Sequence, residues 1–490
     1  MSLIDISNLT FSYETSFENI FENVSFQIDT NWKLGFIGRN GRGKTTFLNL
    51  LLGKYDYRGK IYASVTFDYF PFEVEDKSRN TIDIIDSVNG IYELWELNRE
   101  LSLLAVSQDV LYRPFETLSN GEQTKVLLAA LFLKEQNFLL LDEPTNHLDE
   151  EGKETIAEYL NKKKGFILVS HDRDFLDKII DHVLSINKTN IDIIKGNFSE
   201  WSLKKEREDN FEAAENERLK KDINRLKQAA KRTSAWSEKT EDSKFGTREG
   251  VDRGFLGHKS AKMMKRSKSI EARQSKAIDE KSGLLKNVET AGDLKLHPLV
   301  YSKGSLMDVS DLSVFYGDRI LFEGIDFSVR NGDRLAVKGR NGSGKSSLIK
   351  LLTGENIPHT GTVRKGSGLI ISYVPQDASF LTGTLKSFIE DKGINETLFK
   401  AILRKLDFER GQFEKKLDEY SEGQKKKVLL AGSLCESAHL YIWDEPLNFI
   451  DVVSRIQIEE LILNYSPTLI YVEHDSAFNR KTATKIIDLQ

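Results

Sequence analysis

The feature that most constrains this chain is that it repeats itself. GRNGRGKTT at 38–46 recurs as GRNGSGKSS at 339–347, and LSNGEQTKVLLAA at 118–130 recurs as YSEGQKKKVLLAG at 420–432. LLLDEP at 139–144 recurs as YIWDEP at 441–446, and SHD at 170–172 recurs as EHD at 473–475. The offset is 301 from Lys44 to Lys345, 302 from Ser119 to Ser421, 302 from Asp142 to Asp444 and 303 from His171 to His474. Landmarks kept so closely in register mean two copies of one domain. The expected division is a first copy over 1–202, a second over 298–490, and an interposed segment over 203–297 that belongs to neither.

That segment has its own composition. None of the 8 prolines falls between Pro144 and Pro298, which permits long unbroken helices. Leu219, Ile223, Leu226 and Ala230 follow one apolar seam, and Met263, Ile270, Ala277 and Leu284 follow another at heptad spacing. Two facing helices are the natural solution, and glycines 246, 250, 254 and 257 predict a tip loop near 240–257. Helices of about 30 to 38 residues would extend roughly 45 to 55 Å. Residues 218–276 hold 18 Lys or Arg against 7 Asp or Glu, so this window carries +11 while the remainder of the −5 chain carries −16. A basic middle between acidic flanks points to a polyanionic partner that the net charge conceals.

The repeated glycine loops satisfy G-x-x-x-x-G-K-[ST], follow a short apolar run and precede a helical pattern. Gly38, Asn40, Gly41 and Gly43, and in the second copy Gly339, Asn341, Gly342 and Gly344, shape a turn whose N–H groups cradle phosphate at a helix N-terminus. Lys44 and Lys345 neutralise the β- and γ-phosphates, with Thr46 and Ser347 in the same loop, and Thr45 and Ser346 offer hydroxyls to Mg²⁺. Downstream, an apolar run ends in Asp142 and Glu143, and again in Asp444 and Glu445. A buried strand delivering a carboxylate at its C-terminal end suits the Mg²⁺ shell, and the second acid is placed to orient or deprotonate water.

With these motifs in order, the chain resembles a tandem ATP-binding-cassette ATPase. The resemblance implies an α/β fold of two such P-loop domains joined by a long α-helical hairpin, and hydrolysis of the ATP anhydride with ATP and Mg²⁺ as cofactors. LSNGEQ and YSEGQ resemble the cassette signature, so Ser119, Gly121, Ser421 and Gly423 are expected on the γ-phosphate held by the opposite cassette. His171 and His474 resemble the switch histidines that act with Glu143 and Glu445, and Asp149 and Asp451 the D-loop aspartates. Gln376 resembles the metal-facing Q-loop glutamine, beside Asp142 and Asp444 as metal carboxylates, and Tyr13 and Tyr316 the aromatics that stack on adenine. Lys44 would then share its nucleotide with Ser421 and Gly423, and Lys345 with Ser119 and Gly121.

The sequence also departs from that pattern. Where the second copy has Tyr373-Val374-Pro375-Gln376, the first has Tyr69-Phe70-Pro71-Phe72, which predicts slower turnover at the first site. The first copy reads DEPTNHLD at 142–149, and the second reads DEPLNFID at 444–451.

With 39% hydrophobic and 30% charged residues and no long apolar run, the chain has no membrane span. The single cysteine, Cys435, and a start without a leader-like pattern predict a cytoplasmic protein. A transporter-associated or DNA-repair ATPase would carry membrane partners, a far longer coiled coil or zinc cysteines, and no DNA or membrane partner is expected. The remaining resemblance is to the ABC-F class, whose linker enters the ribosomal tRNA exit site. It implies a monomer with intramolecular cassette pairing that meets large-subunit rRNA and P-site tRNA. Within the class, the 245–266 tract and DEPLNFID are similar to the Lsa-type resistance proteins, implying protection against lincosamides, streptogramin A compounds and pleuromutilins. A housekeeping translation ATPase is the alternative. Candidate ribosome contacts are Trp236, Lys244, Phe245 and Phe255 towards the tip, and Lys262, Lys265, Arg266 and Lys268 on rRNA phosphates.

Overall fold

The computed structural model describes residues 3–13, 19–90, 92–134, 137–146, 148–187, 190–242, 296–317, 319–340, 342–406, 408, 410–448 and 450–489, together with 265, 269, 270, 272, 273 and 276. The chain divides into one unit of Met1–Trp201 with Gly292–Gln490 and a second of Ser202–Ala291.

The first unit holds both copies, each an α/β domain with two sheets. In the first copy the strands Thr66–Phe70, Asn137–Asp142, Phe166–Val169, Lys33–Ile37 and His182–Asn187 lie side by side in that order and run parallel, with Asn190–Lys195 antiparallel at the end. The second copy repeats the plan with Ile371–Val374, Leu440–Asp444, Leu469–Val472, Arg334–Gly339 and Lys485–Leu489, all parallel. These strands are short continuous apolar runs because both sheet faces are covered, one by helices and the other by the phosphate-loop helix and a second sheet. Phe138 to Leu141, Phe166 to Val169 and Leu469 to Val472 are accordingly buried at every position.

The second sheet of each copy is antiparallel and three-stranded, Phe21–Asp29, Leu3–Phe11 and Arg58–Ala63 in one, Arg319–Arg330, Ser305–Tyr316 and His359–Lys365 in the other. Here burial alternates, with Ile4 and Ile6 buried on either side of Asp5. Each central strand shifts register at a residue with positive φ, Asn8 at 53° and Asp311 at 50°, so the irregularity is part of the repeat.

In the interposed segment, a 45-residue helix spans Phe198–Asp242. Phe198 and Trp201 at its start pack into the core of the first copy. Further along, Asn216 and Ile223 are buried and Leu219 and Leu226 half-buried, while most residues around them are exposed, which matches the apolar seam. Trp236 lies on this helix, its side chain outside the described residues. Lys265 is helical and exposed, as are residues 269, 270, 272, 273 and 276. Lys244, Phe245, Phe255, Lys262, Arg266 and Lys268 fall outside the described residues. Among the described residues, no helix is long and apolar enough to cross a membrane.

Candidate active site

Each glycine loop joins a central strand to a helix, Lys33–Ile37 to Lys44–Leu51 and Arg334–Gly339 to Lys345–Thr353. Gly43 and Gly344 cap these helices at φ 94°. A side chain at Gly43 would also meet Ile20 Cγ2 at 2.5 Å, so conformation and space both demand glycine. Gly41 and Gly342 adopt positive φ as well; Gly38 directly follows the first of these strands and Gly339 ends the second, Asn40 lies in the loop, and Asn341 falls outside the described residues. Lys44 Nζ donates to the carbonyls of Gly38 at 2.6 Å and Arg39 at 3.2 Å and to Asn40 Oδ1 at 3.3 Å. Lys345 Nζ donates to the carbonyls of Gly339 and Arg340, both at 2.9 Å.

Burial pushes both amines below the ordinary lysine range. Opposing it are the charges of Asp451, Glu143 and Asp142 at Lys44, and of Glu445, Asp444 and Asp149 at Lys345. Each lysine therefore feels the aspartate that caps a helix of the other copy. Asp149 accepts from the Gly152 amide at 2.9 Å and Asp451 from the Ser454 amide at 2.9 Å.

The acid pairs stand where the sequence expects them, at the ends of Asn137–Asp142 and Leu440–Asp444. Glu143 and Glu445 both sit at φ 49°, a left-handed conformation that costs a non-glycine residue roughly 1–2 kcal/mol. The turn aims each carboxylate at a histidine, His171 Nε2 to Glu143 Oε1 at 3.4 Å and His474 Nε2 to Glu445 Oε1 at 3.4 Å.

Equal geometry meets unequal fields. Burial and then the charge of Asp142 push Glu143 up to about 8, while burial and the cations Lys44, Arg455 and Lys427 hold His171 well below the usual imidazole range. Burial also opposes the charge on Glu445, but the hydrogen bond and charge of His474 and the Gln376 amide outweigh it and hold the carboxyl at about 2. Glu445 is thus poised as a carboxylate, while Glu143 and His171 are held as two neutral groups.

The neighbouring aspartates differ too. Asp142 Oδ2 accepts from the Tyr69 hydroxyl at 2.8 Å. Both oxygens of Asp444 are buried without a hydrogen-bond partner among the described residues, and burial raises this carboxyl to about 6. Ser346 Oγ donates to Gln376 Oε1 at 3.3 Å, so hydroxyl, amide oxygen and orphaned carboxylate gather at the second site. In the first copy Thr45 lines the cavity beside Asp142, and Phe72 packs partly buried against the core.

Tyr13 shares a hydrogen bond with Thr46 Oγ1 at 2.8 Å, and Tyr316 one with Ser347 Oγ at 3.5 Å. Both rings stay partly exposed beside their loops. Ser119 and Ser421 cap the helices Asn120–Phe132 and Glu422–Cys435, accepting from the amides of Glu122 and Gln424 at 3.3 Å. Gly121 and Gly423 lie in the first turns, where free amides and the helix dipole favour an anion.

A cavity of about 940 Å³ collects these groups from both copies. Lys44, Thr45, Glu143 and His171 line it with Ser421 and Gly423, as do Tyr316, Lys345, Ser346, Gln376, Glu445 and His474. From the first signature only Asn120 lines it, and not the expected Ser119 or Gly121.

Around the cavity runs a buried seam of charge that sequence reading missed. Arg173 reaches Glu459 at 2.7 Å and Asp475 at 3.6 Å, and Arg455 reaches Asp475 at 3.5 Å. Lys153 Nζ bridges Asp172 at 2.8 Å in its own copy and the His474 carbonyl at 3.2 Å in the other. The only signal was a basic residue four positions after each D-loop aspartate, Lys153 and Arg455.

Comparison with known proteins finds the ABC transporter family model matching residues 21–146 and 322–448. The chain is 28% identical to ribosome protection protein VmlR of Bacillus subtilis, over 98% of this chain and 85% of that protein. It is 25% identical to energy-dependent translational throttle protein EttA of Haemophilus influenzae, over 96% of this chain and 89% of that protein. The crystal structure of archaeal ribosome recycling factor aABCE1 with ribosomal stalk protein aP1 shares the fold, with a TM-score of 0.63 at 18% identity, covering 98% of this chain and 87% of that one.

Proposed function

Because this chain belongs to the ABC transporter family, as a twin-cassette ATPase of the ABC-F type, we propose that its ATP cycle acts on the ribosome and protects the large subunit from peptidyl-transferase-centre antibiotics. The observation that carries this reading is similarity to a ribosome protection protein over 98% of the chain, a span that takes in the basic linker as well as the cassettes. The +11 window of that linker suits rRNA phosphate, whose neutralisation releases counterions. In this reading the linker enters through the tRNA exit site, with lincosamides, streptogramin A compounds and pleuromutilins as the drugs displaced.

The chemistry follows from the cavity. Lys44 and the amides at Gly41 and Gly43 hold one triphosphate, and Ser421 and Gly423 reach it from the other copy, so bound ATP acts as the glue that closes the two. Mg²⁺ fits the orphaned oxygens of Asp444 with Ser346 and Gln376, and Thr45 with Asp142 in the first copy; when bound it neutralises charge on the β- and γ-phosphates. Glu445, held ionised against His474, accepts the proton of the attacking water, and hydrolysis removes the γ-phosphate that joins the copies.

The test pairs binding with resistance. A Glu143→Gln/Glu445→Gln chain should co-sediment with 70S ribosomes in ATP, and the wild-type chain should raise inhibitory concentrations for the three drug classes in a sensitive host. Pelleting with DNA but not ribosomes would refute the ribosomal reading. Ribosome binding without resistance would favour a housekeeping translation factor, the reading that similarity to the throttle protein supports.

A further inference from the structure

The helix Glu422–Cys435 carries a run of three lysines at 425–427, yet Lys426 and Lys427 are each only 4% exposed. Adjacent helix positions point about 100° apart, and here they face different sites. Lys427 lines the cavity with Lys44 and His171 of the first copy, and its charge acts on both. Lys426 turns into its own copy, where Nζ donates to the carbonyls of Pro375 at 3.0 Å, Glu445 at 3.4 Å and Asp444 at 3.5 Å.

An ammonium has three N–H donors, and three carbonyls meet this one. They come from separate segments. Pro375 precedes Gln376, which accepts from Ser346, and Asp444 and Glu445 are the strand-end acids. Burial weighs against the charge of Lys426 and lowers its pKa, offset by Glu445, Asp444 and Glu473. A buried ammonium is expensive to desolvate, so packing alone would favour an apolar side chain here. The first copy has Thr124 at the matching position, five residues after the signature serine, and a hydroxyl on a short stem carries one donor.

We propose that Lys426 is a positioning residue that couples the two ATP sites in one direction: the helix whose N-terminus reads the nucleotide on Lys44 carries, one turn later, the cation that fixes Gln376 and Glu445 for turnover on Lys345. ATP closure at the first site pulls on Ser421 and Gly423, and Lys426 transmits the position of that helix to both halves of the second site. The first copy has neither the lysine nor the glutamine, so Thr124 and Phe72 leave its own signature helix without this link. The inference rests on ATP hydrolysis and not on the ribosomal reading, and it is tested without ribosomes.

The test uses the full chain carrying Glu143→Gln, in which turnover reports the second site. Lys426→Met keeps the stem and removes the donors. It should lower kcat about tenfold or more with KM for ATP held within about twofold, as expected when buried charge-assisted hydrogen bonds are removed from a positioning group. Lys426→Arg should recover most of the loss. Hydrogen exchange over 375–377, slowed by ATP in the parent, should no longer respond to ATP in Lys426→Met. Unchanged kcat, or a loss of kcat, KM and melting temperature together that arginine does not rescue, would overturn the proposal. If Lys426→Met does not fold, Lys426→Gln, which keeps two donors, takes its place: intermediate turnover supports the coupling and parental turnover refutes it.

Discussion

The pair Arg173 and Glu459 joins residues 286 positions apart in the sequence and lies across the meeting of the two copies. Replacing Arg173 by Met strips Glu459 of a 2.7 Å partner and Asp475 of a 3.6 Å one, with all three side chains nearly inaccessible. Removing one member of a buried pair costs about 3–5 kcal/mol when the other is stranded. Neither carboxylate is stranded here, since Lys481 stays within 2.6 Å of Glu459 and Arg455 within 3.5 Å of Asp475. The expected cost of Arg173→Met is therefore about 2–3 kcal/mol. Arg173→Met with Glu459→Leu removes both charges and fills the space with apolar atoms, so the double variant should lose less than the sum of the singles, with a coupling of about 2 kcal/mol. Equilibrium urea unfolding of the four proteins gives the cycle, taken where fluorescence and circular dichroism coincide. The coupling should persist in 0.5 M salt, because a buried pair is little screened. A coupling below about 0.5 kcal/mol, or one that disappears with salt, would show that the seam behaves as a surface ion pair.

Four other expectations follow from particular residues. Phe72 in place of a glutamine, and a neutral Glu143, make the first site the slower, so Glu445→Gln alone should lower steady-state ATPase more than Glu143→Gln alone; equal losses would contradict this. Glu100 is buried against its charge, but Lys163, Tyr159 and Arg99 outweigh burial and hold its carboxyl below the ordinary range. Its stabilising share is complete above the unfolded glutamate pKa of about 4.3 and is lost as pH falls through the lowered folded value. Glu100→Gln should thus lower the melting temperature at pH 7 and converge on wild type in acid. Neutralising Lys262, Lys265, Arg266 and Lys268 should flatten the log–log salt dependence of ribosome binding by roughly 0.7–0.9 for each phosphate that is no longer neutralised, while Phe255→Ala should abolish resistance and spare both ATPase and binding. Retained resistance in folded Phe255→Ala would remove that residue from the mechanism.

The repeat made the architecture legible, because phosphate loops and strand-end acids are local motifs and each copy carries them in the same order. What stayed hidden depends on the meeting of distant segments. Tyr69 reads as a core aromatic until the fold sets its hydroxyl on Asp142. Arg173 and Glu459 look like ordinary surface charges in two unrelated helices. The KKK run at 425–427 reads as a solvated face, and only the packing of its helix against two different sites shows that two of the three are buried. The unequal state of two glutamates with the same histidine spacing was likewise invisible, since it arises from burial and the Asp142 charge at Glu143 and from the His474 and Gln376 contacts at Glu445.

The left-handed turn at Glu143 and Glu445 sets a direction for drift. Glycine adopts that turn without the steric cost a glutamate bears, so at 143, where burial and Asp142 already oppose the carboxylate, the mutation that ends catalysis also relieves the backbone by up to about 1 kcal/mol. At 445 the same change forfeits the His474 contact and the hydrogen bond from Asn448, which outweigh the relief. A laboratory selection for heat resistance alone would therefore erode the first site and spare the second, so a screen meant to stabilise this chain must assay hydrolysis in every round.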